Sequence, residues 1–178
     1  IVLGDANLEK AVEVAVTARF QNTGQSCIAA KRFIVVESAA AEFEERFAAA
    51  AKDLRRGAPI DPETQLGPMA REDLRDELAG IVDASVAAGA TVLTGGKAPD
   101  ENGAWYEPTV VSAAAGSDAP VLREETFGPV AAVVRVADEA AAIELANESE
   151  FGLGSSLWTQ DLERAEKLAA DIESGMVF

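Results

Sequence analysis

Leu8, Ala11, Val12, Ala15, Val16 and Arg19–Phe20 recur at three- and four-residue spacing, which predicts an amphipathic helix from about Asn7 to Phe20. Asp5 or Asn7 can cap its start. A polar turn, Asn22 to Ser26, follows. Arg32–Glu37 is β-branched and apolar, and reads as a buried strand. Phe43, Phe47, Ala51 and Leu54 place a second stripe on a helix ending near Gly57. Three prolines make Ala58–Met69 a loop. A helix is expected over about Ala70–Ala88, and strands over Thr91–Leu93, Tyr106–Val111 and Pro129–Val136. Asp138 caps a helix to about Asn147, and Leu153–Trp158 reads as a strand. Asp161–Glu173 reads as a helix with Leu162, Ala165, Leu168 and Ile172 on one face, and Met176–Phe178 as the start of another strand. Strands alternating with helices imply an α/β fold: a three-layer arrangement whose mostly parallel sheet is covered on both faces. No repeat or low-complexity tract divides the chain. The uncapped apolar pieces Ile1–Leu3 and Met176–Phe178 give the impression of a domain cut from something longer.

Composition narrows the chemistry. Apolar residues make up 48 % of the 178 and aromatics only 6 %, so Ala and Val must supply tight helix-on-sheet packing. No apolar run approaches the ~20 residues of a membrane-spanning helix, and the first residues do not resemble a signal peptide. The formal net charge of −16 repels a phosphate backbone, which argues against nucleic acid as a partner. With no histidine, Cys-His and Ser-His-Asp hydrolases acting within the chain are excluded, and so is a Cys/His zinc site. The single cysteine cannot form an internal disulfide and suits a reducing compartment.

That cysteine, Cys27, follows the glycine-containing polar turn and precedes Ile28-Ala29-Ala30-Lys31. A free cysteine is often a small buried hydrophobe. Placed at the start of a helical turn, it would instead feel backbone dipoles that favour the thiolate, with Lys31 and Arg32 acting in the same direction. The residues alone leave both readings open.

Phe20-Gln21-Asn22-Thr23-Gly24-Gln25-Ser26-Cys27 resembles the active-site cysteine motif of the aldehyde dehydrogenase superfamily. Glu124-Glu125-Thr126-Phe127-Gly128-Pro129-Val130 resembles its second hallmark, which contacts the nicotinamide half of the cofactor. Leu66-Gly67-Pro68, Glu107-Pro108-Thr109, the stretch from Asn147 to Gly152 and Ser174-Gly175-Met176-Val177-Phe178 also match, in order, along the whole chain. The wording from Gly24 to Val35 most resembles the succinate-semialdehyde dehydrogenase branch.

The resemblance implies NAD- or NADP-dependent oxidation of an aldehyde, with succinate semialdehyde as the candidate, to the acid. Cys27 would be the nucleophile, passing through a thiohemiacetal and a thioester. Its backbone N–H would be one donor to the oxyanion. Glu125 would accept hydrogen bonds from the nicotinamide ribose diol, and Phe127 would pack by the ring. Gln21, Ser26 and Ile28 fall where family members line the aldehyde tunnel. Some semialdehyde dehydrogenases carry Arg where Gln21 stands; an amide can hydrogen-bond a carboxylate without neutralising it. Ala29 stands where some members have a second cysteine, so a disulfide switch there is absent.

By the same resemblance, residues 1–178 are the cysteine-bearing catalytic domain. The cofactor domain and the general-base glutamate of a Glu-Leu-Gly-Gly stretch would precede Ile1, and the oligomerisation strands would follow Phe178. The complete enzyme would be a cytoplasmic homodimer or homotetramer without a metal. Two other readings use the same residues: a non-catalytic domain of this fold with an inert buried Cys27, and a thiol acyltransferase, which would need a base that the histidine-free chain does not offer.

Overall fold

A computed structural model describes residues 1–178. Helix α1 (Leu8–Phe20) is capped by Asn7, whose side chain accepts the Lys10 N–H. A short 3₁₀ turn follows. Strand β1 (Arg32–Val36) runs without a loop into α2 (Glu37–Lys52). Then come α3 (Glu72–Ala87), β2 (Thr91–Thr94), β3 (Thr109–Ala114), the single-turn α4 (Pro120–Arg123), β4 (Val130–Val136), α5 (Glu139–Asn147) and α6 (Leu162–Ala169). Asp138 caps α5 and Asp161 caps α6.

The four strands form one sheet in the order β1-β4-β3-β2. β4 is parallel to both neighbours, with Arg32 opposite Ala132 and Thr109 opposite Val130. β2 is antiparallel to β3. Residues Val130 to Val134 are all buried, as expected of a parallel strand covered on both faces. Alternation along β4 divides the core. Ala131 and Val133 join Val110 and the α1–α2 side, where the rings of Phe33 and Phe47 lie 4.7 Å apart. Val130 and Ala132 join Val111 and the α3 side, with Leu78, Val82 and Val121. The expected α/β architecture is therefore observed.

Several boundaries differ from the expectation. β3 starts at Thr109, not Tyr106, because Pro108 has no N–H for a ladder. Leu153–Trp158 is not a strand. It is an extended segment making single bridges, Ser155 to Val177 on one side and Trp158 to Val2 on the other; these partners are too short for a ladder. Met176–Phe178 likewise contributes one bridge. α2 stops at Lys52, well short of Gly57. α6 ends at Ala169 and buries no residue; Leu162 is 77 % exposed, whereas Ile172, beyond the helix, is buried. α4 has no periodic signal in so short a segment.

One polar group is built into the core side of α2. The buried Glu44 carboxylate accepts from Ser112 Oγ at 2.7 Å and from Arg135 Nη2 at 2.6 Å. Burial raises its pKa, but the bonds from Arg135 and Ser112 together outweigh that, so the carboxyl titrates below the usual glutamate range. A depressed carboxylate stabilises above its unfolded-state pKa and loses that contribution as pH falls through the folded value. Glu44→Gln is therefore expected to destabilise the chain by about 1–3 kcal/mol at neutral pH. The difference should narrow below about pH 4. Urea unfolding at several pH values reads this; identical midpoints at pH 7 would refute it.

Candidate active site

The sheet order decides which loops meet. β1 and β4 are parallel neighbours, so the segments leading into them emerge at the same edge. Cys27 and Phe127 each lie five residues ahead of their member of the Arg32–Ala132 register pair. The Ala132 N–H donates to Lys31 O at 3.0 Å, which fastens the two approaches together.

Between α1 and Cys27 the backbone turns left-handed. Asn22 (φ 53°), Thr23 (φ 58°) and Gly24 (φ 69°) occupy that region in succession. For a β-branched residue such as Thr23 this is strained, by roughly 1–3 kcal/mol. Local bonds hold the turn. Asn22 Nδ2 donates to Gln25 O at 2.9 Å, Thr23 Oγ1 donates to Gly67 O at 3.2 Å, and Gln25 Oε1 accepts the Ala70 N–H at 2.8 Å. The Leu66-Gly67-Pro68 stretch thus braces the cysteine motif. Gly24 is obligatory for a second reason: a Cβ there would collide with the Gly128 carbonyl and with the Arg19 guanidinium.

Cys27 and Ile28 occupy the centre of a turn closed by the Ala29 N–H donating to Ser26 O at 3.1 Å. No helix begins at Cys27, so the helix-terminus argument for its thiolate does not apply. Arg32 does not attend the thiol either. Its guanidinium donates to Leu145 O and Ala146 O, both at 3.0 Å, at the end of α5. The thiol is exposed, and Ile28 is 82 % exposed. The Cys27 backbone N–H donates to no group of the chain.

Lys31 links the two motifs. Its Nζ donates to Cys27 O at 3.1 Å, Ala29 O at 3.3 Å and Ser26 O at 3.4 Å, and pairs with Glu125 Oε1 at 3.3 Å. The Glu125 carboxylate therefore stands one ammonium group away from the cysteine turn, with 42 % of its side chain still exposed. Phe127 is 39 % exposed on the same loop. Gln21 is exposed where α1 gives way to the turn, and Ser26 is half-buried next to Cys27. All six residues singled out from the sequence thus lie on these two converging loops.

Sequence reasoning gave no role to Arg19, which is fully buried and donates to carbonyls of both loops. A signal was present. Arg19 continues the buried stripe of Val12 and Ala15 at helical spacing, and a cation on a core-facing stripe requires acceptors. No group of three or more His, Cys, Asp or Glu side chains is gathered to hold a metal ion. No helix is long and apolar enough to cross a membrane.

The sequence profile of the Aldehyde dehydrogenase family matches residues 1–178. The chain belongs to the aldehyde dehydrogenase family. It is 52 % identical over 178 residues to the succinate semialdehyde dehydrogenase [NAD(P)+] Sad of Escherichia coli (strain K12), covering all of this chain and 38 % of that protein. It is 51 % identical to the succinate-semialdehyde dehydrogenase [NADP(+)] of Mycobacterium avium (strain 104), with the same coverage. The chain thus spans well under half the length of the curated relatives it matches. Among solved structures, PnpE from Pseudomonas sp. WBC-3 superposes with a TM-score of 0.93 at 46 % identity, over 99 % of this chain and 37 % of that one. The same figures hold for PnpE in complex with nicotinamide adenine dinucleotide. Membership confirms the family read from the two motifs.

Proposed function

We propose that residues 1–178 are the cysteine-bearing catalytic domain of an NAD(P)-dependent aldehyde dehydrogenase, with Cys27 as nucleophile. The observation that carries this reading is the open Cys27 turn, fastened through Lys31 to the Glu125 carboxylate. A buried, inert cysteine would have favoured a structural module. The full-length enzyme would bring further residues over this edge of the sheet.

The Cys27 thiolate adds to the aldehyde carbonyl carbon and forms the C–S bond of a thiohemiacetal. The unpartnered N–H of Cys27 is free to donate to the developing oxyanion. Loss of hydride leaves a thioester on Cys27, and water releases the acid and regenerates the thiol. The residues present fit a nicotinamide nucleotide: an exposed carboxylate for a ribose diol and an exposed aromatic ring stand on one loop beside the open thiol. When bound, that cofactor supplies the hydride acceptor. Gln21, Ser26 and Ile28 would face the aldehyde from the cysteine turn. The two succinate-semialdehyde dehydrogenases at about half identity favour an aldehyde bearing a distal carboxylate such as succinate semialdehyde, although Gln21 could only hydrogen-bond that carboxylate and not neutralise it.

The test is turnover of succinate semialdehyde by the full-length enzyme with NAD or NADP, together with acid-quench mass spectrometry. An acyl adduct on the peptide carrying Cys27 is expected; an adduct elsewhere, or none during turnover, would reject Cys27. Glu125→Gln is expected to weaken cofactor positioning by about 1.5–3 kcal/mol, since a charged acceptor is lost. Single-turnover hydride transfer should slow by about 10- to 100-fold. Unchanged cofactor affinity with an unchanged single-turnover rate would remove Glu125 from that role.

A further inference from the structure

Arg19 is 0 % exposed, in the last turn of α1, where a basic side chain commonly turns back to the helix's own last carbonyls. Its guanidinium turns elsewhere. Nη2 donates to Gly24 O at 2.8 Å and Nη1 to Ala30 O at 3.1 Å, so these two bonds bracket the cysteine turn. Nη2 also donates to Thr126 O at 3.1 Å and Gly128 O at 2.5 Å, and these bracket Phe127. One planar cation thereby holds the backbone on both sides of the thiol and on both sides of the aromatic ring. Gly24 and Gly128 meet beside it with no room for a Cβ, so the two loops are in contact there. Burial carries a cost: it lowers the guanidinium pKa to about 10, with nearby Glu125 opposing the shift. An apolar residue would fill the same core position without that cost, so the four carbonyls are what the charge serves. Lys31 repeats the pattern at the rim, where its ammonium joins Cys27 O to Glu125.

We propose that Arg19, seconded by Lys31, is a positioning residue that fixes the cysteine turn against the Phe127 loop, so that thiol and nicotinamide ring are held at reacting distance. The assignment rests on the aldehyde-oxidising reading of the same site. It predicts a defect in the chemical step and not in folding or in substrate capture. Lysine cannot reproduce the whole brace, because its single nitrogen cannot serve both the three carbonyls held by Nη2 and the separate Ala30 carbonyl held by Nη1.

The experiment compares wild type, Arg19→Lys and Lys31→Met in the full-length enzyme. Each is measured by thermal unfolding, cofactor affinity, KM for the aldehyde, single-turnover hydride transfer, and the rate at which iodoacetamide alkylates Cys27 with and without cofactor. Arg19→Lys should fold and bind cofactor while its single-turnover rate drops on the order of 10- to 100-fold, as a small misplacement of reacting groups produces. Its KM for the aldehyde should stay near wild type, and cofactor should protect Cys27 from alkylation less well. Lys31→Met should move the same readouts in the same direction by roughly two- to fivefold, as befits a partly exposed pair. A folded Arg19→Lys enzyme with a wild-type single-turnover rate overturns the proposal. An Arg19→Lys chain that does not fold makes Arg19 a folding residue and overturns it too. If wild type oxidises no aldehyde, the functional reading fails separately, and the alkylation rates still report whether Arg19 sets the cysteine turn.

Discussion

Replacing Cys27 by Ala in the full-length enzyme is expected to end aldehyde oxidation, lowering kcat/KM by at least about 10³-fold. The size of the effect follows from the chemistry available. Within these 178 residues Cys27 is the only thiol, and no histidine stands on the two loops to activate a hydroxyl in its place. The turn would survive the change, because the bonds that shape it come from Asn22, Thr23, Gln25 and the Ala29 N–H, none of which involve the sulfur. The Lys31–Glu125 pair and the Arg19 brace would survive as well, so cofactor binding should stay near wild type. Loss of turnover with retained cofactor affinity is therefore the pattern expected of a missing nucleophile. Substantial residual oxidation by Cys27→Ala would reject Cys27 as the reacting group.

The local part of this site was legible along the chain because its determinants are local. Asn7 and Asp138 announce their helices by accepting N–H groups three residues on. The two motifs are contiguous strings. What joins them is not contiguous: Arg19 reaches carbonyls 107 and 109 residues away. Only the strand order β1-β4 makes those neighbours, and periodicity says nothing about strand order. The general expectation for open α/β sheets places ligands beyond the carboxyl ends of the strands. Here both motif loops lead into the amino ends of β1 and β4, so a reading guided by that rule alone would have searched the wrong edge. Cys27 misled for a different reason. A glycine-containing turn before small residues suits a helix start, but three successive left-handed residues change the direction of the chain, and Cys27 and Ile28 form a tight turn that leads to β1 with no helix between. Leu162 showed the limit of periodicity again, since a stripe on α6 reveals an apolar face without revealing whether this chain covers it.

The 178 residues on their own are expected to fold and yet to show no sustained dehydrogenase turnover. Folding is supported by two separate clusters of buried apolar residues, one on each face of the sheet. Turnover requires more than the two loops provide. Cys27 and Ile28 stand open to solvent, and Phe127 and Glu125 are partly exposed, so nothing in this chain excludes water from the thiol or closes over a dinucleotide. An oxyanion donor open to water loses most of the advantage that a dry, preorganised site gives it. Glu125 and Phe127 would contact only one edge of a nicotinamide ribose, leaving the remainder of the cofactor unheld. The curated relatives are more than twice as long, which is consistent with the missing walls being supplied by other residues. The open thiol has a consequence of its own: iodoacetamide should modify Cys27 readily in the isolated chain. Purified chain mixed with succinate semialdehyde and NAD or NADP, followed by the absorbance of reduced nicotinamide, makes the comparison. Prompt alkylation without cofactor reduction is the expected pair of results. Repeated turnovers by the chain alone would show that these two loops suffice, and that the site needs no residues beyond the 178.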